Sequence, residues 1–285
     1  MICIKCGLNK GSEKGVFECD DCITFSSIVK TVFEDVHDQM EREEIIDPDT
    51  SPILRLLADS SFLTSSNPQT AIFYKISDYL LTRASIGDTE ITEDDLNRYV
   101  TTIRGWEDTF KLFSELNLIT IRNEKYRRVL ILTNKMVKFA NQYQLESISD
   151  IGIRKRLAHI YAGYVLLCIL NKVASLSEES WSKSILPYSQ KPRTLWISLM
   201  FLWSNAFNNN EQFSEEDLRK FIAKRRIHSA SRGKIIGALQ AMDGKNTQGL
   251  IKDVRLEDGE RQFTFEDYVM IEMQRIRELV RERER

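Results

Sequence analysis

Four of the five cysteines lie within the first 22 residues, as Cys3-x-x-Cys6 and Cys19-x-x-Cys22 with twelve residues between the pairs. Two such pairs can close a tetrahedral thiolate site around one structural Zn2+, each pair gripping the ion from a tight turn. One redox motif would not explain two pairs, and disulfides are disfavoured in a reducing cytoplasm. Gly7, directly after the second cysteine, supplies the permissive backbone that a metal-binding knuckle uses where the chain turns. The stretch from Lys10 to Gly15 reads as a hairpin tip, and Cys168, inside an apolar helix, reads as core.

From Ile23 onward apolar residues recur at Phe25, Ile28, Val29, Val32, Phe33 and Val36, the spacing of one buried helix face. The second cysteine pair therefore leads into a helix, whose exposed amides favour thiolates. This arrangement resembles the treble-clef kind of zinc finger; a ribbon with two knuckles is the alternative. Loss of the metal is expected to unfold this N-terminal segment alone.

A second chemistry is written in charge. Arg219, Lys220, Lys224, Arg225, Arg226, Arg232 and Lys234 fall within residues 219–236 without one acid, in a chain whose net charge is −2. Such segregation suits a polyanion, and Lys224, Arg225, Arg226, His228, Ser229, Ser231, Arg232 and Lys234 are candidate contacts to DNA phosphates or base edges. A second candidate set is Lys125, Arg127 and Arg128, which with Arg122 surround one acid, Glu124. The ordinary alternative for either run is a solvated basic surface.

The elements that would position these residues come from a duplication. Residues 91–100, beginning Ile91-Thr92-Glu93-Asp94-Asp95-Leu96, recur as residues 213–222, beginning Phe213-Ser214-Glu215-Glu216-Asp217-Leu218, at an offset of 122. Each copy sets a Ser or Thr three positions before an acid, the signature of a helix start. Upstream, Pro68-Gln69-Thr70 and Pro192-Arg193-Thr194 each open an apolar helix. Downstream lie a further helical spacing (Phe110, Phe113 and Leu116; Ile236, Leu239 and Met242) and a strand pair. Leu118–Ile121 is expected to pair with Val129–Leu132, and Leu250–Leu256 with Gln262–Phe265 across an Asp258-Gly259 turn.

Helix, helix, helix and two-stranded wing is the pattern of a winged helix-turn-helix. The run from Leu116 to Lys135 is similar to the winged-helix families of prokaryotic and archaeal DNA-binding regulators. The expected fold is mainly α with small β-wings: a four-cysteine zinc finger and acidic helix (1–45), a linker (46–67) with a short helix near Ile53, winged-helix domain 1 (68–145), connecting helices (146–190), winged-helix domain 2 (191–267) and a C-terminal helix (268–285). In the second copy the basic segment falls on the turn and the recognition helix. The first copy has Trp106, Glu107 and Asp108 there and is a poor groove reader. Zinc followed by two repeats also resembles general transcription factor B of archaea, whose repeats are all-helical and lack wings.

The remaining composition narrows the field. Hydrophobic residues make up 42% of 285, enough for several cores. The longest apolar runs, Tyr164–Leu170 and Trp196–Trp203, are shorter than the roughly 18–20 residues of a membrane span. The first residues lack the basic head and apolar stretch of a secretory signal, so the expected location is the cytoplasm. The three histidines (His37, His159 and His228) share no ligand spacing, and neither a phosphate-binding Gly-rich loop nor a nucleophile elbow occurs. No enzyme is expected. The function expected is a DNA-binding transcription regulator acting on double-stranded DNA, with a homodimer left open. The rival readings are a protein-interaction scaffold resembling the membrane-sorting ESCRT-II assembly, whose partner would dock on the zinc finger, acidic helix or first winged helix, and a replication-initiation factor.

Overall fold

A computed structural model of the chain describes residues 1–11, 14–41, 53–54, 57, 68–99, 110, 113–114, 117–125, 127–142, 151–177, 190–226, 251–255 and 261–285. Among the described residues the protein is mainly helical with three small sheets. It divides into two compact units: one gathers Met1–Asp38 with Leu166–Arg285, the other holds Asn67–Val165 together with Gln39–Ala58. No helix among the described residues is long and apolar enough to cross a membrane.

The duplication is visible in the order of elements. In the Asn67–Val165 unit, helix α2 (Pro68–Ser85) leads to strand β3 (Glu90–Thr92), helix α3 (Glu93–Tyr99), the hairpin β4 (Ile119–Asn123) and β5 (Arg128–Leu132), and helix α4 (Asn134–Gln142). In the other unit, α6 (Gln190–Phe207) leads to β6 (Gln212–Ser214), α7 (Glu215–Lys224), the hairpin β7 (Ile251–Arg255) and β8 (Arg261–Phe265), and α8 (Asp267–Arg283). Both sheets are antiparallel, with the last strand in the middle: β3-β5-β4 and β6-β8-β7. The two hairpins agree with the strand pairs expected from sequence. The short strands β3 and β6 were not anticipated, because each offers a single buried side chain, Ile91 or Phe213, and alternation cannot be read from one residue.

Local chemistry repeats along with topology. Both helices that precede the short strands end in a paired 6→1 and 5→2 backbone closure: Asp88 N–H to Arg83 O with Gly87 N–H to Ala84 O, and Asn210 N–H to Asn205 O with Asn209 N–H to Ala206 O. This closure needs a left-handed residue, supplied by Gly87 (φ 77°) in one copy and Asn209 (φ 59°) in the other, 122 positions apart. The expected helix starts are present as well. The Ser214 hydroxyl accepts from the Asp217 N–H at 3.0 Å while the Asp217 carboxylate accepts from the Ser214 N–H at 2.9 Å, and Thr92 and Asp95 form the same box.

Hydrogen bonds from Ser214 hold the Asp217 carboxyl below its usual range. A depressed carboxylate stabilises the fold above its unfolded pKa, about 3.9, and that contribution is lost as pH falls through its folded value. Ser214→Ala is therefore expected to cost about 1 kcal/mol near neutrality. The loss should shrink below about pH 4, read from denaturant midpoints across pH.

Helix α1 (Asp20–Glu41), the part of α5 (Ile151–Ala174) from Leu166 on, α6 and α8 form the core of the first unit. Phe25, Ile28, Val29, Val32 and Val36 are buried on α1 as the spacing predicts. Helix α6 is buried almost all round from Trp196 to Trp203, as expected of a helix apolar on every face. The Phe25 ring meets Trp196 edge-on at 4.8 Å and Trp203 at 5.6 Å between centroids. The tail helix α8 packs on α6 through Val269, Met273, Ile276 and Val280. Ile271 is exposed, because the buried face of this helix runs through Val269, Glu272, Met273, Ile276 and Val280. Buried Glu272 is held by Arg275, which also reaches Asp35 at 3.0 Å, and Arg283 pairs with Glu34. Two acids of the acidic helix thus meet arginines of the same unit.

Candidate metal centre and basic face

The first cysteine pair sits on a tight loop. Strand β1 (Ile2–Cys3) runs into a turn closed by Gly7 N–H to Cys3 O at 2.9 Å, with Gly7 at φ 76°. A side chain there would strain the backbone, which is why the sequence has glycine at that point. Strand β2 (Val16–Phe17) pairs with β1 in parallel, while Asn9 bridges Ile2 antiparallel. Asn9 and Val16 therefore lie on opposite edges of β1 rather than facing each other across a turn. That corrects the hairpin-tip expectation.

The second pair belongs to a helix start. Cys19 immediately precedes α1 and Cys22 lies in its first turn, with the Cys22 N–H donating to Cys19 O at 2.8 Å. The helix-led arrangement is the one present, not a second knuckle. All four sulfurs lie within 4.8 Å of one another, and all four residues are buried. Cys6 and Cys19 approach to 3.7 Å. Four sulfurs about 2.3 Å from one tetrahedral Zn2+ would stand about 3.8 Å apart, whereas a disulfide needs about 2.05 Å. The donor set and its spacing fit a metal ion held by four thiolates.

Four sulfurs this close would repel one another if all were ionised. Hydrogen bonds from Cys19 and Cys22 push the Cys3 thiol down, and those with Cys19 and Cys3 push Cys22 up. A bound divalent cation removes this conflict, because it deprotonates coordinating thiols. Cys22 has a further partner: the Trp196 indole N–H donates to its sulfur at 3.3 Å, and Met200 lies 3.7 Å from it. Such outer contacts orient a ligand and disperse its charge.

The inner residues of the pairs were missed by sequence reasoning. Lys5 is only 3% exposed, and its ammonium reaches Glu18, Ser26 Oγ at 2.8 Å and Ala174 O at 2.9 Å. All three of its protons are used, one on a carbonyl at the C-terminal end of α5, where positive charge is favoured. Asp21 pairs with Arg225, which is 2% exposed, stacks 3.6 Å over the Phe221 ring and donates to Phe221 O at 3.2 Å. Nothing local marks a lysine between two cysteines as buried; its partners stand 13, 21 and 169 residues away.

Comparison of the chain with family models, curated proteins and solved structures finds no match.

Arg225 corrects one expected DNA contact, because a guanidinium buried against Phe221 and Asp21 is withdrawn from solvent. Its neighbours differ. Lys220, Lys224 and Arg226 are exposed at the end of α7 and form no ion pair with a described residue, while Arg219 is tied to Glu215 one turn away. Arg226 holds φ at 52°, a left-handed position that favours glycine. His228, Ser229, Ser231, Arg232 and Lys234 lie outside the described residues.

The arginines of the first repeat's hairpin are paired with acids of the same repeat. Arg127 pairs with Glu124 at 2.7 Å, and Arg122 pairs with Glu124 and Glu90. Arg128 pairs with Glu93 at 2.7 Å and holds that carboxyl below its usual range. Lys125 is exposed but has interactions of its own. Of the candidate phosphate contacts Lys125, Arg127 and Arg128, the two arginines are thus held by acids, as is Arg122 beside them, and those acids include Glu90 from β3 and Glu93 from α3.

Proposed function

We propose that this chain is a zinc-stabilised DNA-binding protein, a transcription regulator, whose two repeats are winged helices and whose second repeat grips duplex DNA. The winged-helix reading is supported by the helix, strand, helix, hairpin order and by a sheet in which the last strand lies between the other two. The observation that carries the DNA reading is the end of α7. Lys220, Lys224 and Arg226 project there with no ion pair among the described residues, next to a stretch that adds Arg232 and Lys234 and no acid up to residue 236.

Arg226 strengthens the case. A non-glycine residue in a left-handed position costs about 1–2 kcal/mol, so the charge is retained against local strain. Arg226→Gly is expected to raise the unfolding free energy by up to about 1 kcal/mol and yet weaken DNA binding. A merely tolerated surface arginine would give the first effect without the second.

The test is a salt series of duplex affinity. Each phosphate contact contributes about 0.9 to the slope of log affinity against log salt. Replacing Lys220, Lys224 and Arg226 together by alanine should lower that slope by about 2–3 and weaken binding on every duplex sequence. An unchanged slope would move the reading to a protein scaffold. That second reading is favoured for the first repeat by its self-neutralised wing, so we assign the first repeat to docking another protein.

A further inference from the structure

We propose that Asp21, an inner residue of the second cysteine pair, is a positioning residue through which the metal centre fixes the basic end of α7. The inference deepens the DNA-binding reading and rests on it only for its effect on affinity. Three observations carry it. Asp21 sits between two metal-ligand candidates, so metal binding fixes its backbone on both sides. Its carboxylate takes the guanidinium of Arg225, which is the last capping residue of α7 and is buried. The chain leaves that cap through Arg226, which is exposed and holds a left-handed backbone, and the sequence that follows adds Arg232 and Lys234.

The centre can serve as an anchor because it is itself tied down. Lys5, inside the first pair, is spent on Glu18, Ser26 and the carbonyl of Ala174, and Trp196 holds Cys22 from α6. A clamp between two mobile parts would position nothing. Here one side is held by two helices and would be fixed further by a metal on the four cysteines, and the other is the end of the helix that carries the exposed cations. Arg225 matches the task, because its planar fork can stack on Phe221 while its other edge meets Asp21.

The experiment compares the metal-loaded full chain with its Asp21→Asn, Asp21→Glu and Arg225→Met variants by hydrogen exchange at residues 219–226, metal content and duplex affinity. Asp21→Asn should speed exchange at 221–226 by about ten-fold while α8 keeps its protection and one metal remains per chain. Asp21→Glu, which keeps the charge, should restore most of the protection. The sign of the DNA effect is diagnostic. Removing a negative charge from a DNA-binding protein raises affinity if charge is all that matters, whereas loss of positioning should lower it by about ten-fold. Should Asp21→Asn lose its metal, Arg225→Met breaks the same contact from the far side and is expected to speed the same exchange. Wild-type exchange at 221–226 in Arg225→Met, or in a metal-loaded Asp21→Asn, would overturn the proposal. Faster exchange in a protein that binds no DNA at any salt would support the clamp and remove the DNA reading.

Discussion

Replacing Cys22 with serine is expected to abolish metal binding and, with it, the cooperative unfolding transition of the unit formed by Met1–Asp38 and Leu166–Arg285. Metal binding to small thiolate sites is folding free energy, of apparent size about 10–16 kcal/mol in zinc-finger peptides, whereas a whole domain is stable by about 5–15 kcal/mol. Loss of one of four ligands therefore threatens everything packed on the site. From sequence, the damage was expected to stop at the N-terminal segment. The packing predicts otherwise: Cys22 accepts the Trp196 indole proton, Met200 lies against its sulfur, and Phe25, on the next turn of α1, is enclosed by Trp196 and Trp203. Metal analysis should fall from one ion per chain to none. Trp emission should move toward that of exposed indole, and calorimetry should retain only the transition of the Asn67–Val165 unit. Retention of both transitions in Cys22→Ser would limit the metal to a local role.

Phe25→Ala should have the next largest effect. Phe25 is fully buried, and truncating a core aromatic typically costs about 3–5 kcal/mol, a range that includes the void left behind. The upper half of that range is expected here, because the ring contacts two indoles edge-on and such pairs add about 0.5–1.5 kcal/mol beyond area. For a unit of this size about 2–4 °C is lost per kcal/mol, so the midpoint should fall by at least about 8 °C. Phe25→Leu, which keeps most of the volume, should recover much of it. The measurement is thermal unfolding followed by Trp fluorescence with metal held in excess. A fall of under about 2 °C would mean that the α1–α6 contact is not the core described here.

Much of this architecture was legible in the sequence because it rests on local chemistry. Cysteine spacing announced the sulfur cluster, Thr92/Asp95 and Ser214/Asp217 announced two helix starts, and the apolar series from Phe25 to Val36 announced the buried face of α1. What escaped was set by partners far along the chain. Lys5 and Arg225 read as surface charges, yet each is buried, and the carboxylates that permit this, Glu18 and Asp21, gave no sign of their pairing. The charge count also misled at the first hairpin, where Arg122, Arg127 and Arg128 are answered by Glu90, Glu93 and Glu124. A run of basic residues reveals that cations are present but not what already neutralises them.

The most direct test of the central claim is the affinity of the metal-loaded, reduced protein for a labelled duplex, followed by fluorescence anisotropy from low to physiological salt. The account predicts clear binding at low salt, weakening with a log–log slope of about −3 or steeper. Absence of binding at the lowest salt, or binding indifferent to salt, would contradict it.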